Sequence, residues 1–197
     1  PFQFVPSEKL NRTTGKNHQG VIAFYSGLDY QDISMVLPTV YEAGETPFVL
    51  VADGLTDVRN FGAVARTSEC AGVHAIIVPA RGSAMLGPDA VKTSAGALHN
   101  IPVCRSQNLV KEIDYLKDSG VKIVVASEKE GVLYHKADLK GPLDLIMGSE
   151  DKGVSAEILA RADINVQIPI KGKIESLNVS AAAAILIYEI IRQRSED

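Results

Sequence analysis

The feature that most constrains the fold is a regular alternation of short apolar runs and longer amphipathic stretches that begins near Pro47. Apolar runs such as Phe48–Ala52 and Leu143–Met147 are as short and as rich in branched side chains as buried strands, and turn residues follow them at once. The predicted strands are Phe48–Ala52, His74–Val78, Pro102–Arg105, Val121–Ala126, Leu143–Met147 and Ile164–Ile168, and the predicted helices are Asn60–Cys70, Pro88–Leu98, Asn108–Lys117 and Val179–Ile191. Such alternation predicts an α/β fold in which a mostly parallel sheet carries helices on both faces.

The last predicted helix is unusual because it has almost no polar face. Within Val179–Ile191 only Ser180, Tyr188 and Glu189 interrupt the apolar side chains. We therefore expect this helix to be buried on nearly all sides. Two polar loops that contain glycine precede it, and loops at the carboxyl ends of parallel strands are where open α/β sheets bind ligands. The last quarter of the chain is therefore the predicted place of a binding site.

Composition limits the class of protein. The 197 residues suffice for one large domain, and no apolar run approaches the roughly 20 residues that a membrane span needs. The net charge of −4 argues against a protein that coats nucleic acid indiscriminately, but it allows a local basic surface. Cys70 and Cys104 offer no disulfide framework, which suits a reducing cytoplasm. The four histidines lack the spacing of metal ligands or of a Ser/His nucleophile, so we expect no metal.

The first 46 residues differ from the rest of the chain. Residues 1–26 contain a basic polar loop and one predicted strand, Gly20–Tyr25, which together cannot bury a core. We interpret them as the end of a domain whose earlier part lies outside this sequence. Residues 27–46 are predicted to be a linker with a helix within Asp29–Glu45, which Pro38 shortens or breaks.

The first of three candidate loops spans residues 53–66 and leads into a predicted helix. Asn60 is a suitable N-cap for that helix, and Gly62 would allow another backbone to approach closely. Arg66 lies among small apolar residues, where a cation needs a partner. The partner is either a carboxylate in a structural salt bridge or a bound anion such as phosphate, and the residues alone leave both open.

The second loop, Gly148–Gly153, and the third, Ile168–Asn178, each follow a predicted strand. The glycines of the second loop permit a tight turn whose backbone N–H groups could bind a ligand, but a turn with solvated acidic residues explains the same pattern. Ser176 and Asn178 stand at the start of the last helix, where side-chain oxygens cap free N–H groups. Capping explains one of these two residues but hardly both.

Two standard phosphate-binding motifs are absent from the sequence. The segment ADGLTDVRNFG follows the first strand of the alternating region without a GxGxxG pattern, and no GxxxxGK[ST] loop occurs. Their absence disfavours a nucleotide-dependent oxidoreductase, which is the alternative that a doubly wound sheet would suggest.

Together, the three loops resemble the signature motifs of the SpoU (TrmH-like) RNA 2′-O-ribose methyltransferases, which belong to the SPOUT superfamily. The matching segments are NFGAVAR at Asn60–Arg66, IMGSEDKG at Ile146–Gly153 and IPIKGKIESLNVSAAAAILIYE at Ile168–Glu189, in the family's order. The stretch KNHQGVIAF at Lys16–Phe24 is similar to the end of the ribosomal-protein-like RNA-binding domain that precedes the catalytic domain in the rRNA guanosine branch. The resemblance implies a remnant of that domain at residues 1–26, a linker and helix at 27–46, and a SpoU catalytic domain at 47–197.

The resemblance also implies a C-terminal trefoil knot, S-adenosylmethionine as cofactor, and a homodimer in which each active site is completed across the interface. The residues that match the family's cofactor-binding positions are Gly148, Ser149, Ile168, Pro169 and Leu177. Those that match its catalytic positions are Asn60, Arg66, Glu150, Ser176 and Asn178.

The implied reaction passes a methyl group to a ribose 2′-hydroxyl, a poor nucleophile that must be aligned and must lose its proton. A deprotonated arginine is a costly base because the pKa of its side chain lies above about 12. Our hypothesis is that Arg66 holds the target phosphate and stabilises the developing alkoxide. Asn60, Ser176 and Asn178 would orient the hydroxyl, and Glu150 would fix Arg66 or the ribose.

A modest set of basic side chains is predicted to contact RNA. Its members are Arg12, Lys16, His18, Arg59, Arg81, Lys171 and Lys173. A 2′-hydroxyl target requires RNA rather than DNA, and the N-terminal similarity favours ribosomal over transfer RNA. The alternatives are a tRNA 2′-O-ribose methyltransferase and a catalytically silent RNA-binding dimer of the same fold.

Overall fold

The structure, a computed structural model, describes residues 3–22, 28–84, 86–128, 131–149 and 151–195. Within these ranges the strands are β1 (Tyr30–Gln31), β2 (Phe48–Ala52), β3 (Ala75–Pro79), β4 (Val103–Ser106), β5 (Lys122–Ala126), β6 (Val132–Leu133), β7 (Leu143–Met147) and β8 (Ile164–Gln167). The helices are α1 (Ser7–Thr13), α2 (Ile33–Glu42), α3 (Val58–Cys70), α4 (Pro88–Thr93), α5 (Leu109–Asp118), α6 (Ala156–Leu159) and α7 (Val179–Ser195).

The strands form one sheet in the order β1-β4-β3-β2-β7-β5-β8-β6, and every pairing is parallel. The central strands β2 and β7 are buried at all five positions, as continuous apolar runs predict for strands covered on both faces. Their register pairs Phe48 with Leu143 and Ala52 with Met147, so both strands end at the same level. The predicted α/β class with a mostly parallel sheet is confirmed.

Helices cover both faces of the sheet, and each face has its own core. Phe48 packs in one cluster with Phe61 of α3 and Leu186 of α7. Its neighbour Val49 packs in the other cluster with Leu37 of α2. Adjacent residues of a strand point to opposite faces, which is why the two cores separate residue by residue along β2.

Helix α3 begins earlier than predicted because its N-cap is Asp57, and the expectation that Asn60 caps it is wrong. The Oδ1 atom of Asp57 accepts hydrogen bonds from the backbone N–H groups of Arg59 at 2.7 Å and Asn60 at 3.0 Å. These N–H groups hold the pKa of Asp57 below its usual value, the N–H of Asn60 contributing most. The side chain of Asn60 is therefore not needed to cap the helix.

The helix predicted at Pro88–Leu98, by contrast, is shorter than expected. It ends at Thr93 because Ala95 and Gly96 have φ angles of 52° and 87°, which are incompatible with a continuing right-handed helix. Four short elements, α1, β1, β6 and α6, were not predicted, since segments of two to seven residues carry little periodicity.

Helix α7 is less buried than predicted. Its inner face packs against α3 and the sheet through Ala183, Leu186, Ile187 and Ile190. Its outer face is an exposed stripe that consists of Ala181, Ile185, Tyr188 and Arg192, with Tyr188 52% exposed. The expectation of burial on nearly all sides is wrong for a single chain, because composition does not distinguish a helix buried in its own fold from one whose apolar face meets a partner.

Arg194, near the end of α7, ties that helix to the start of the two central strands. Its Nη2 donates to the carbonyl oxygens of Pro47 at 2.9 Å and Gly141 at 2.6 Å, and Nη1 donates to that of Thr46 at 3.2 Å. The guanidinium also lies 5.0 Å from the centre of the Phe48 ring. Burial lowers the pKa of Arg194.

The N-terminal region adds few buried residues to the core. No residue of α1 is buried, and part of the predicted strand Gly20–Tyr25 lies outside the described residues, while residues 20–22 form no strand. Helix α2 is short, as predicted, but continuous through Pro38. It packs on the sheet through Ile33, Val36 and Leu37, and β1 before it pairs with β4.

Candidate functional site

Two adjoining cavities open at the carboxyl ends of β2, β5, β7 and β8. The first cavity, of about 530 Å³, is bounded by residues 126–128, 147–149, 151–154 and 175–177, by parts of the segment 165–170 and by α7. The second cavity, of about 320 Å³, is bounded by residues 54–57, by Asn60 and Gly82, and by residues 149, 151 and 152. Ser149, Asp151, Lys152 and Val179 line both, so the two cavities share one wall. This is the edge at which parallel α/β sheets bind ligands.

The loop after β7 is a tight backbone turn. The N–H of Gly153 donates to the carbonyl of Ser149 at 2.9 Å, and the N–H of Ser149 donates back to Gly153 at 3.2 Å. A Cβ atom on Gly148 would lie 2.3 Å from the carbonyl carbon of Gly153, so only glycine fits there. The described residues of this turn line the first cavity, and turns of this kind bind polar ligand atoms through backbone N–H groups.

Two amide side chains, 118 positions apart in sequence, meet beside the second cavity. Nδ2 of Asn178 donates to Oδ1 of Asn60 at 3.0 Å. Oδ1 of Asn178 accepts a hydrogen bond from the N–H of Ser180 at 2.9 Å and another from the Ser180 hydroxyl, so it caps the start of α7. Ser176 does not cap the helix but lines the first cavity, so capping explains one of the pair and not both.

Close packing of α3 on α4 bears out the prediction for Gly62. A Cβ atom there would lie 2.2 Å from Oγ1 of Thr93, so a larger residue would push the helices apart. Arg66, farther along α3, is exposed and forms no hydrogen bond or ion pair with any residue that the structure describes. The structural salt bridge, one of the two interpretations of Arg66, is therefore not found within the described ranges.

The model of the SpoU rRNA Methylase family matches residues 47–188, which is most of the chain. This chain belongs to that family.

Named relatives include both rRNA and tRNA enzymes. The chain is 39% identical over 186 residues to the 23S rRNA (guanosine-2′-O-)-methyltransferase RlmB of Yersinia pestis, a match that covers 93% of this chain and 74% of that protein. It is similar to the AdoMet-bound rRNA methyltransferase of Sinorhizobium meliloti, with a TM-score of 0.74, 26% identity and coverage of 83% and 61%. It is also similar to the A. aeolicus TrmH/SpoU tRNA modifying enzyme, with a TM-score of 0.70, 31% identity and coverage of 83% and 85%. The chain thus spans about three fifths of the S. meliloti protein.

The first cavity fits S-adenosylmethionine on two observations of its lining. Gly148 permits the tight turn of the loop that lines one side of the cavity, because any side chain there would meet the backbone of Gly153 and Val154. The side-chain oxygen of Asn165, which lines the same cavity, is buried and has no hydrogen-bond partner in the described part of the protein. A buried acceptor without a partner is costly, and an amino group such as that of adenine would satisfy it. Sequence reasoning missed Asn165 because a single polar residue in a short strand carries no signal.

Four of the five predicted cofactor-binding residues line the first cavity: Gly148, Ser149, Ile168 and Leu177. The fifth, Pro169, is exposed and is not among the lining residues. The loop after β5, with Ser127 and Glu128, adds a wall that the sequence motifs do not include.

The structure brings three of the predicted catalytic residues to the two cavities. Asn60 lines the second cavity, Ser176 lines the first, and Asn178 bonds to Asn60. Arg66 lines neither of these cavities. Glu150 lies outside the described residues, so its placement stays a prediction.

The predicted RNA-binding residues fall in separate parts of the chain. Arg59 is exposed just before the first motif segment, and Lys171 and Lys173 are exposed on the third. His18 is held in the N-terminal segment, where its Nε2 lies 2.8 Å from Oδ1 of Asn11 and its Nδ1 accepts from the N–H of Gly20. Arg12 and Lys16 are exposed in the same segment. Their contact with RNA stays a prediction.

The described ranges contain neither a metal-binding cluster nor a helix able to cross a membrane. No cluster of three or more His, Cys, Asp or Glu side chains there is placed to hold a metal ion. None of the described helices has the length and apolar character needed to cross a membrane.

Proposed function

We propose that this protein transfers a methyl group from S-adenosylmethionine to a ribose 2′-hydroxyl of ribosomal RNA. The observation that carries the proposal is the hydrogen bond between Asn60 and Asn178, which joins the first and third motif segments beside the wall that the two cavities share. The relative in Y. pestis at 39% identity is named as a 23S rRNA guanosine-2′-O-methyltransferase, and the S. meliloti relative holds AdoMet.

The cofactor supplies an electrophilic methyl group on its sulfonium. The glycine turn at Gly148 and the residues Ile168 and Leu177 would hold it in the first cavity, and the buried oxygen of Asn165 would fix its orientation. The ribose enters through the second cavity, because that cavity adjoins the first and contains Asn60.

The amides of Asn60 and Asn178 position the reacting hydroxyl. Each amide fixes the other, and Asn178 is fixed further by its bonds to Ser180. Pre-oriented N–H donors of this kind stabilise the negative charge that develops on the 2′-oxygen as its proton passes to solvent. Ser176, which lines the first cavity, orients the same oxygen. Arg66 binds the adjoining phosphate, and Glu150 fixes Arg66 or the ribose.

A homodimer is part of the proposal. Exposed apolar side chains are concentrated on the third motif and the outer face of α7: Ile170, Ile174, Leu177, Ile185 and Tyr188. Ile174 is 76% exposed in the single chain. Large exposed apolar side chains concentrated in two neighbouring sequence segments are typical of protein interfaces. Arg66 lines neither cavity of its own chain, as expected for a residue that completes the site of the partner.

The finer architecture that the resemblance implies also belongs to the proposal. We infer a trefoil knot at the C-terminus, because the second and third motif loops wall one cavity and α7 packs beneath them. Residues 1–26 are then the end of an RNA-binding domain, 27–46 a linker and helix, and 47–197 the catalytic domain. The free thiols of Cys70 and Cys104, together with an rRNA substrate, support a cytoplasmic location.

The test combines cofactor binding with methyl transfer. Calorimetric titration should show micromolar binding of S-adenosylmethionine at about one site per chain and no binding of NADH. Tritium transfer is then measured on unmodified 23S rRNA and tRNA transcripts, and the products are digested to identify 2′-O-methylated nucleosides. The matched variant is Asn178→Asp, which keeps the helix cap but loses the donor to Asn60.

We expect Asn178→Asp to bind the cofactor normally and to lose methyl transfer by at least about tenfold. Transfer to tRNA alone would establish the tRNA alternative. RNA binding without cofactor binding by the folded wild-type protein would refute the proposal in favour of a silent RNA-binding dimer.

A further inference from the structure

The second cavity contains chemical groups that match the three parts of a nucleotide. Asn60 faces the reacting ribose, as argued above. The ammonium of Lys152, which forms no ion pair with the described residues, suits a phosphate. Asp57 lines the cavity as well, and nothing in the proposed reaction uses its carboxylate. The volume of about 320 Å³ is at the lower end for ligand sites, which suits one nucleoside rather than a stretch of helix.

The carboxylate of Asp57 is held in one orientation, and one of its two oxygens accepts no hydrogen bond from the described residues. Its Oδ1 accepts the N–H groups of Arg59 and Asn60, which sets the plane of the carboxylate. Its Oδ2 has no hydrogen-bond partner among the described residues. The N-cap interactions also hold the group ionised at neutral pH, so it offers lone pairs and no proton.

We propose that the second cavity receives the target nucleotide and that Asp57 selects guanine by accepting hydrogen bonds from its N1–H and N2 amine. This inference rests on the proposed function. Guanine is the base whose Watson–Crick edge presents two adjacent donors, whereas adenine, cytosine and uracil each place an acceptor opposite one of the carboxylate's lone pairs. RNA enzymes commonly read a splayed-out base by hydrogen bonds to this edge.

Because Asp57 and Asn60 lie close together at the start of α3, binding of the base by Asp57 also positions the ribose for reaction. Asp57 caps α3, and Asn60 lies three residues later in the first turn of the same helix. A base held by Asp57 therefore places its own ribose near Asn60 without a flexible connection between them. A wrong base would leave the carboxylate facing an acceptor, and the ribose would be displaced from the amides.

The substitution Asp57→Asn separates recognition of the base from capping of the helix. Asp57→Asn retains a good N-cap, because asparagine and aspartate cap helices equally well. It replaces the second carboxylate oxygen by an NH₂ group, so an acceptor becomes a donor at the position that guanine would contact. Asp151→Asn is the matched comparison, since it removes a carboxylate from the wall that the two cavities share.

The experiment pairs these variants with a change in the RNA. A fragment of 23S rRNA is assembled by ligation with guanosine or inosine at the position that the wild-type enzyme methylates. Inosine lacks the N2 amine and is otherwise the same base. The kcat/KM for methyl transfer is measured for each enzyme on each fragment, alongside the Kd for S-adenosylmethionine.

We expect wild type to prefer guanosine over inosine by about 10- to 100-fold, the range of one hydrogen bond to a charged group, because inosine loses only the bond from the N2 amine. In Asp57→Asn the ratio of kcat/KM for guanosine to that for inosine should fall to near one, while the Kd for the cofactor is unchanged. In Asp151→Asn the preference for guanosine should persist. An unchanged preference in Asp57→Asn, its loss in Asp151→Asn, or a mapped target other than guanosine would overturn the inference. If Asp57→Asn is unfolded, Asp57→Ser keeps a cap and is tested in the same way. A wild-type enzyme that methylates no RNA would instead refute the proposed function itself.

Discussion

Asp144 is expected to make the protein less stable as the pH rises. It lies in the central strand β7, fully buried between its cross-strand partners Val49 and Ile123. Both side-chain oxygens lack a hydrogen-bond partner within the described residues. Burial raises the pKa of Asp144 well above its usual value and outweighs the opposing influence of the nearby backbone N–H of Val51, which lies outside hydrogen-bonding geometry. The folded protein therefore holds a proton that the unfolded chain has released.

The size of the effect follows from proton linkage. The unfolded carboxyl has a pKa of about 3.9, so above that pH the native state binds one proton more than the unfolded state. The free energy of unfolding should then fall by about 1.4 kcal/mol per pH unit until the pH passes the native pKa of Asp144. Asp144→Asn cannot titrate, so its stability relative to wild type should rise with that slope.

The assay is urea denaturation of both proteins between pH 5 and pH 8, followed by far-UV circular dichroism at one fixed chain concentration. Asp138→Asn is the control, because Lys122 donates to that exposed carboxylate and lowers the pKa of Asp138. The stabilising effect of the ionised Asp138 is complete above about pH 4 and is lost only as the pH falls further. The free energy of unfolding of Asp138→Asn should therefore run parallel to that of wild type between pH 5 and pH 8. A constant difference between Asp144→Asn and wild type across this range would show that Asp144 holds no extra proton.

Asp144→Val should stabilise the protein at neutral pH by about 1–3 kcal/mol, because it removes a buried polar group without a partner, and calorimetry should show a higher Tm; an unchanged or lower Tm would contradict this. Gly148→Ala should weaken cofactor binding at least about tenfold by calorimetric titration, since its Cβ would meet the backbone of Gly153, whereas Gly87→Ala has open space and should bind normally. Arg66→Lys should lose most methyl transfer at an unchanged cofactor Kd, because lysine lacks the bidentate fork; near-full activity would show that positive charge alone suffices. Tyr188→Asp should convert a dimer to monomers in analytical ultracentrifugation, and the exposed Met35→Asp on α2 should not; a dimer that survives Tyr188→Asp would place the interface elsewhere.

The parts of the fold that the sequence predicts well are those where one strong local signal decides the structure. The limits of β2 and β7 were predicted to the residue, because apolar runs of five residues end at turn residues. Asn108 was predicted as the start of a helix and is the N-cap of α5, where its side chain accepts the N–H of Lys111. These signals also determine the sheet class, since strands alternating with helices are parallel.

Long-range contacts could not be predicted from local signals. Nothing in the residues near Asn60 indicates that it bonds to Asn178, and only the resemblance to a family placed both in one site. The choice of Asp57 over Asn60 as N-cap was missed because both residue types cap helices well and lie within one turn of each other. The exposed face of α7 was not predicted, because an apolar pattern indicates that a helix face is buried but not whether its own chain or a partner buries it.

The strand order has a consequence for synthesis of the chain on the ribosome. Strand β7 lies between β2 and β5, although both of them are translated before it. Until β7 emerges, β2 and β5 each have an unpaired edge at what will become the middle of the sheet, and such edges are where nascent chains pair wrongly. Arg194, which binds the carbonyls just before β2 and β7, is translated after every strand of the sheet. The central sheet therefore cannot be secured until α7 has emerged from the ribosome, so release before that point would leave an aggregation-prone chain rather than a partly active one.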